Sequence, residues 1–169
     1  VSCTETPAGS GEYDCVGELR IFNGEDLRCK KKALGFSNCC SRDGWGLGWA
    51  DRCNSEEQQL RLARQEGQCV YVGSYCSEDS IFGCLAKKET HCCFRSKLAR
   101  IIQEQGREQL GLDWGGAKSP ECDGFTGEQL AALDFSVIDF GEYFADAFAN
   151  ITGSPDNATM ESIIDAYIA

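Results

Sequence analysis

Cysteine is the residue type with the greatest chemical capacity in this sequence. The 169-residue chain contains twelve cysteines, an even number, and no two of them are spaced as Cys-x-x-Cys. Zinc sites use clustered Cys and His ligands at short paired spacings, and this chain has a single histidine. We therefore predict no metal site and no cofactor. The cysteines instead predict six disulfides, formed in an oxidising compartment after export, among the following residues: Cys3, Cys15, Cys29, Cys39, Cys40, Cys53, Cys69, Cys76, Cys84, Cys92, Cys93 and Cys122.

Two pairs of adjacent cysteines limit the connectivity. A disulfide needs a particular separation and orientation of its two Cα atoms, which neighbours in the chain rarely reach. Cys39 and Cys40 should therefore bond to different partners, and so should Cys92 and Cys93. Each adjacent pair would then clamp two segments at one point of the fold. The rest of the pairing stays open at this stage.

The single histidine, His91, is the residue on which a hydrolytic site would have to be built. A Ser-His-Asp or Cys-His device needs it as the general base. It stands directly before Cys92 in a segment with strand character, and this position favours a structural role. We therefore predict that the protein is not an enzyme. A small secreted hydrolase that uses His91 is the alternative.

A predicted helix over residues 96–106 follows the cysteine-rich strands. Ser96 is suited to cap its first turn, and Gly106 is suited to end it. The intervening residues divide into an apolar face and a polar face with helical periodicity. The apolar face contains Leu98, Ala99, Ile101 and Ile102, and Lys97, Arg100, Gln103, Glu104 and Arg107 fall mostly on the other.

Other elements surround this helix. Asn54 and Glu57 form a predicted capping box for a helix that Gly67 ends. A short strand over 18–22, followed by the turn signal Asn23-Gly24, predicts a hairpin. Three β-rich segments predict a hairpin or a three-stranded meander, with residues 77–80 read as a turn and Lys30-Lys31-Lys32 as a solvated loop. The segments are 69–76, 81–86 and 90–94.

The composition divides the chain after its last cysteine. Residues 1–118 carry 16 basic and 17 acidic side chains, whereas residues 119–169 carry ten acidic and no basic ones. We predict a disulfide-stapled body over 1–124 and an acidic, cysteine-free, helical tail over 125–169. The fold class is then a small disulfide-rich α+β domain with a short β-hairpin or meander, few short helices and a C-terminal helical tail. The net charge of −11 argues against nucleic acid as a partner, and no apolar run suggests a transmembrane segment.

The tail contains two amphipathic patterns after a short helix, for which Thr126 and Gln129 predict a capping box. One covers residues 140–151 and the other covers 160–168, on either side of Pro155. Their apolar faces are expected to pack on the body or to bind a partner protein, and the sequence leaves both possibilities open. The candidate partner-binding residues are Phe140, Tyr143, Phe144, Phe148, Ile164 and Tyr167.

The order of these motifs resembles the C-terminal cysteine-rich region of the TraN family of F-type conjugation systems. The resemblance runs from about Cys29 to Ile151. It is carried by Cys39-Cys40 with Asp43-Gly44-Trp45-Gly46, by Cys53, by Val72-Gly73-Ser74-Tyr75-Cys76-Ser77, by Cys84-Leu85 and Lys87-Lys88, and by Cys92 with Phe94 and Ser96-Lys97-Leu98-Ala99-Arg100-Ile101-Ile102-Gln103.

The resemblance implies an exported bacterial protein at the donor's outer membrane and cell surface. Such proteins stabilise mating pairs by contacting other transfer proteins and recipient outer-membrane proteins. Family members are longer, and their receptor choice is attributed to a region upstream. We therefore expect this chain, which looks like a mature form or an excised fragment, to be a non-catalytic adhesion or scaffold module. A structural subunit of an extracellular assembly is a further alternative.

Overall fold

The structure, a computed structural model, describes residues 2–5, 9, 11, 13–16, 18–32, 38–41, 53–81 and 83–152. It confirms the predicted α+β class. Among the described residues, no helix combines the length and the apolar character that a membrane crossing requires. The elements are β1 Ser2–Glu5, β2 Tyr13–Val16, β3 Arg20–Ile21, β4 Glu25–Lys32, α1 Ser55–Gln65, β5 Cys69–Ser80, β6 Gly83–Cys93, α2 Lys97–Leu110, β7 Gly115–Gly116, β8 Ser119–Pro120, β9 Phe125–Thr126, α3 Gly127–Ala131, a short 3₁₀ helix Phe135–Val137, and α4 Gly141–Thr152.

A three-stranded antiparallel sheet, in the order β4-β6-β5, forms the centre of the body. The predicted hairpin exists, but its arms are longer than the sequence indicates. Residues 77–80, predicted as a turn, continue β5, and the chain reverses after them at Ile81. The segments 81–86 and 90–94 likewise belong mainly to one strand, β6. The polar residues at 77–80 are poor strand formers, but pairing with β6 outweighs their local preference.

Strand β4 includes Lys30-Lys31-Lys32, so the prediction of a solvated loop is wrong. The three lysines pair in register with β6. Helix α1 covers the open edge of β4 with carboxylates: Glu56 accepts a hydrogen bond from the backbone N–H of Arg28 at 3.1 Å, and Glu57 accepts one from Lys30 at 2.9 Å. These contacts satisfy donors that would otherwise be available to another strand.

The predicted hairpin at Asn23-Gly24 is also wrong. Strand β3 pairs with β9, about a hundred residues later, and not with β4. Asn23 accepts a hydrogen bond from the backbone of Gly124 at 2.9 Å, and its neighbour Phe22 has a positive φ of 63°. A turn signal reports only local preference, and here a long-range pairing uses the same residues.

Helix α2 begins as predicted and ends later. The Ser96 hydroxyl accepts the N–H of Ala99 at 3.1 Å. The helix ends at Gly111, whose φ of 66° is the left-handed conformation expected of a C-cap, so the prediction of Gly106 is wrong. Gly106 lies inside the helix, where Phe125 and Leu133 pack closely over it. A Cβ there would lie 2.9 Å from Phe125 and 3.1 Å from Leu133, so the packing favours glycine at this position.

Helices α1 and α3 have the predicted capping boxes, Asn54 with Glu57 and Thr126 with Gln129. Leu60 of α1 packs against the disulfides of the sheet. On the other side of the body, the residues after position 124 supply much of the core around α2. The buried side chains in that region include Ile102, Phe125, Leu133 and Ile138.

Candidate binding surfaces

Five disulfides hold the described part of the body together. Cys39 bonds to Cys53 and Cys40 to Cys29, while Cys93 bonds to Cys69 and Cys92 to Cys122, so adjacent cysteines take different partners. The fifth bridge, Cys76–Cys84, joins the two arms of the β5–β6 hairpin near its turn. Bridges of this kind stabilise a fold by about 2–4 kcal/mol each, mainly by restricting the unfolded chain.

The two cysteines outside these five bridges are opposite each other in the β1–β2 ladder. Cys3 and Cys15 are direct partners in the backbone register of this two-stranded sheet. Their side chains lie outside the described atoms. This ladder differs from the cysteine pair at 92–93, where the end of β6 is bonded to two other segments.

A buried polar network on α2 fixes the segment 111–124, which contains the short strands β7 and β8. The Arg107 guanidinium donates to the backbone carbonyls of Asp113 and Asp123 at 2.6 and 2.7 Å and to the Gln103 side chain at 2.9 Å. It also lies over the Trp114 ring at 4.4 Å, and burial lowers its pKa. The prediction placed Gln103 and Arg107 on the polar face of the helix, but both are buried. Periodicity assigns polar residues to solvent and does not detect buried networks of this kind.

His91 occupies a buried position in β6. Its ring packs edge-to-face on Tyr71, with the ring centroids 5.2 Å apart, and it is 3% exposed. Its Nδ1 atom has no hydrogen-bond partner within the part of the chain that the structure describes. Burial and, secondarily, the nearby Arg64 charge lower its pKa from 6.5 to about 4. No described serine, carboxylate or thiol is placed to act with it.

Three groups of described Cys, Asp and Glu side chains are close enough together to hold a metal ion, but their sulfur atoms are already used. Each group contains two cysteines that form one of the disulfides Cys29–Cys40, Cys39–Cys53 or Cys76–Cys84. A disulfide sulfur is not the thiolate that metals bind. The donor sets therefore fit structural bridges.

Helix α4 lies against α2 through its acidic side. Glu142 accepts from Arg100 at 2.5 Å and lies 3.4 Å from the Lys97 ammonium, which also pairs with Asp146. The Arg100 hydrogen bond holds the pKa of Glu142 below its usual value. At the entry to the helix, the Gln105 side chain binds the backbone of Asp139 in both directions, at 2.7 and 3.0 Å. These contacts turn the acidic side of α4 toward the body.

The opposite side of α4 is apolar and exposed. Tyr143, Phe144 and Phe148 are 38%, 52% and 58% exposed, and we call these three residues the α4 apolar face. Tyr143 and Phe144 contact each other edge-to-face, with centroids 5.7 Å apart. Phe140, predicted with them, is half-buried against the core around Ile102. The other two predicted partner-binding residues, Ile164 and Tyr167, lie outside the described residues.

Fold and surface define a class: a disulfide-clamped α+β domain with an exposed apolar face on α4. The chain belongs to the TraN family of F-type type IV secretion systems, whose family model matches residues 10–126. It is 39% identical over 155 residues to the mating pair stabilization protein TraN of Escherichia coli (strain K12). This alignment covers 90% of the chain and 25% of the relative, so the chain spans about a quarter of that protein's length. No solved structure matches the chain. The family predicted from the sequence is thereby confirmed.

Proposed function

We propose that this chain is a non-catalytic adhesion or scaffold module of a bacterial conjugation apparatus. It acts within a longer protein that stabilises donor–recipient mating pairs at the donor's outer membrane and cell surface. Family membership and the name of the 39% identical relative support this role. The disulfides agree with export to an oxidising compartment. The buried position of His91 gives the hydrolase alternative no support.

The observation that carries the proposal is the orientation of α4. An amphipathic helix normally turns its apolar side toward the core of its own protein. Here the ion pairs of Glu142 with Lys97 and Arg100 join the acidic side, itself half-exposed, to α2, and Phe144 and Phe148, one helical turn apart, are left exposed. Apolar anchors with this spacing suit the groove of another protein. The partner is accordingly a protein of the transfer apparatus or envelope that offers an apolar groove.

The test is a conjugation assay with donors whose only source of this protein is the full-length form. The variant carries Phe144→Asp and Phe148→Asp, and the matched control carries Leu62→Asp, which changes a similarly exposed apolar residue on α1. We expect transfer to fall at least tenfold for the α4 variant and to stay near the parent level for the control. Surface levels of the protein, measured by immunoblot of washed cells, should be equal in all three. Equal transfer by parent and α4 variant would contradict the proposed docking surface.

A stability measurement separates a partner from a cis contact. The tail segment 160–168 is also amphipathic and could cover the α4 apolar face within the chain. If the face is free for a partner, Phe144→Asp should change the free energy of unfolding of the isolated chain by less than about 0.5 kcal/mol. A loss above about 2 kcal/mol would mean that the chain itself buries Phe144, and the partner proposal would be abandoned.

A further inference from the structure

The far end of the central sheet places lysines directly opposite lysines. In the β4–β6 register, Lys30 pairs with Lys88 and Lys31 pairs with Lys87 on successive rungs. Like charges in directly opposed positions destabilise a sheet. The chain has 27 acidic residues against 16 basic ones, so acidic residues to place opposite these lysines are plentiful in its composition. The sheet nevertheless pairs lysine with lysine.

The two rungs differ in how their charge is balanced. Lys30 pairs with Glu78 on one face of the sheet. Lys31, Lys87 and the neighbouring Lys32, which we call the lysine cluster, have no carboxylate within 4 Å among the described residues. Glu78 interacts electrostatically with Lys32, and Glu89 lies beside Lys87 in the same lining, so nearby carboxylates balance the charge of the cluster only in part. Charges farther away than about 8 Å are largely screened at physiological salt.

The lysine cluster lines a cavity of ≈410 Å³, a size suited to one or two sugar rings. Three further residues line it: Cys84, and Ser74 and Glu89, which are partners in the β5–β6 ladder two rungs from Lys87. The ammonium groups are donors to anionic oxygens, whereas the Glu89 carboxylate repels a bare anion and accepts hydrogen bonds from hydroxyl groups. The lining therefore fits a ligand that carries both an acidic group and hydroxyls.

We propose that this cavity binds an anionic saccharide, a sugar that carries a phosphate or a carboxylate. Lys31, Lys32 and Lys87 bind the acidic group, and Glu89 and Ser74 bind ring hydroxyls. The Cys76–Cys84 bridge, whose Cys84 also lines the cavity, holds the two hairpin arms together beside Lys87. The bridge thus fixes the backbone around Lys87 before the ligand arrives, which reduces the ordering cost of binding. The site is separate from the α4 apolar face and does not depend on the partner proposed for that face.

The test is calorimetric titration of the 169-residue chain, disulfides intact, with four probes: glucose 1-phosphate, glucuronate, glucose and inorganic phosphate. At least one of the two anionic sugars should bind with a Kd below about 1 mM, and glucose and inorganic phosphate should bind at least tenfold more weakly. Which anionic sugar binds better distinguishes a phosphate from a carboxylate ligand. Phe144→Asp should leave all four results unchanged.

Two variants and a matched control test the residue roles. Lys87→Gln should weaken the anionic sugar at least tenfold and raise the thermal unfolding midpoint at low salt, because it removes one of two opposed charges. Arg95→Gln removes the same charge from an exposed position away from the cavity and should change neither. Glu89→Ala should weaken the sugar but strengthen inorganic phosphate, a reversal that a purely structural role of Glu89 would not produce.

Three outcomes would overturn the proposal. Failure of both anionic sugars to bind would remove the site. Equal losses for Lys87→Gln and Arg95→Gln would reduce it to a non-specific effect of charge. Inorganic phosphate binding as tightly as the sugars would leave an anion site without saccharide recognition.

Discussion

The burial of His91 predicts that the sheet loses stability in mild acid. The folded-state pKa of about 4 lies below the unfolded value of 6.5, so the unfolded chain binds more protons between these two values. Stability is therefore complete above pH 6.5 and declines as the pH falls toward 4. The physical cause is that a charged imidazole would be buried at 3% exposure, and no described residue accepts a hydrogen bond from its Nδ1.

The size of this loss in unfolding free energy follows from the folded and unfolded pKa values of His91. The fall in pKa from 6.5 to about 4 corresponds to about 3.4 kcal/mol once both states are fully protonated. Between pH 7.0 and 4.5, linkage gives a loss of about 2.4 kcal/mol. Domains of this size are commonly stable by about 5–15 kcal/mol, so the loss is a substantial fraction of the total.

The perturbation that isolates this effect is His91→Leu, which keeps a side chain of similar volume and removes the titrating group. At pH 7.0 we expect a small change, because the lost edge-to-face contact with Tyr71, worth about 0.5–1.5 kcal/mol, is offset by removal of an unsatisfied buried nitrogen. At pH 4.5 the variant should be more stable than the parent by about 2 kcal/mol.

The assay is urea unfolding of parent and variant at both pH values with the disulfides intact. Carboxylates titrate in both proteins, so only the difference between parent and variant reports on His91. If the two proteins lose the same stability between pH 7.0 and 4.5, within about 0.5 kcal/mol, the reasoning from burial is refuted.

Three further predictions concern the interior and the bridges. Gly106→Ala should destabilise the protein by about 1–3 kcal/mol in urea unfolding despite the better helix propensity of alanine, because Phe125 leaves its Cβ no room. The control Gly127→Ala meets no atom within 4 Å, and an equal loss there would contradict the packing argument. Arg107→Met should cost about 3 kcal/mol or more, because it leaves the partly buried carbonyls of Asp113 and Asp123 and the buried Gln103 amide oxygen without their donor, and a loss under about 1 kcal/mol would show that water replaces it. Peptide mapping by mass spectrometry without reduction should find Cys3 linked to Cys15, their register partners, and a free thiol at either would refute this pairing.

The parts of the fold that sequence reasoning could predict are those decided by local chemistry. A capping box needs only two residues three apart, so the starts of α1 at Asn54 and of α3 at Thr126 were predictable. The β5–β6 hairpin was also predictable from local sequence, because its two arms are consecutive in the chain. Its extent was not, because Glu78 and Asp79 are strand residues only through their partners on β6.

The missed features depend on residues far apart in the chain. The pairing of β3 with β9 joins Ile21 to Phe125, and nothing near Asn23 in sequence indicates it. Gly106 has the residue type of a helix end, but it is needed inside the helix because Phe125 packs there. Charge alone predicts that the lysines of β4 lie in solvent, and only the register shows that Lys30 and Lys31 are opposite Lys88 and Lys87 of β6.

The orientation of helix α4 is another feature that the sequence does not determine, and it bears on function. Its periodicity was predicted correctly, but periodicity cannot say which side faces the body. The ion pairs of Glu142 and Asp146 with α2 are exposed and contribute roughly 0.2–1 kcal/mol each, whereas burying Phe144 or Phe148 would contribute roughly 1.5–3 kcal/mol each. The ion pairs that hold α4 on α2 therefore stabilise its position less than burial of its apolar face by a partner would.

A helix held in this way should exchange its amide hydrogens quickly in the isolated chain. We expect the amides over 143–148 to exchange with deuterium much faster than those over 101–107 of α2, where the core is packed on both sides. Glu142→Gln should speed the α4 exchange further and leave α2 unchanged, because the changed contact lies on the surface. Equal protection of the two helices would mean that the α4 apolar face is already covered. In that case our inference from the ion pairs, that α4 is weakly held and free to bind a partner, would be wrong.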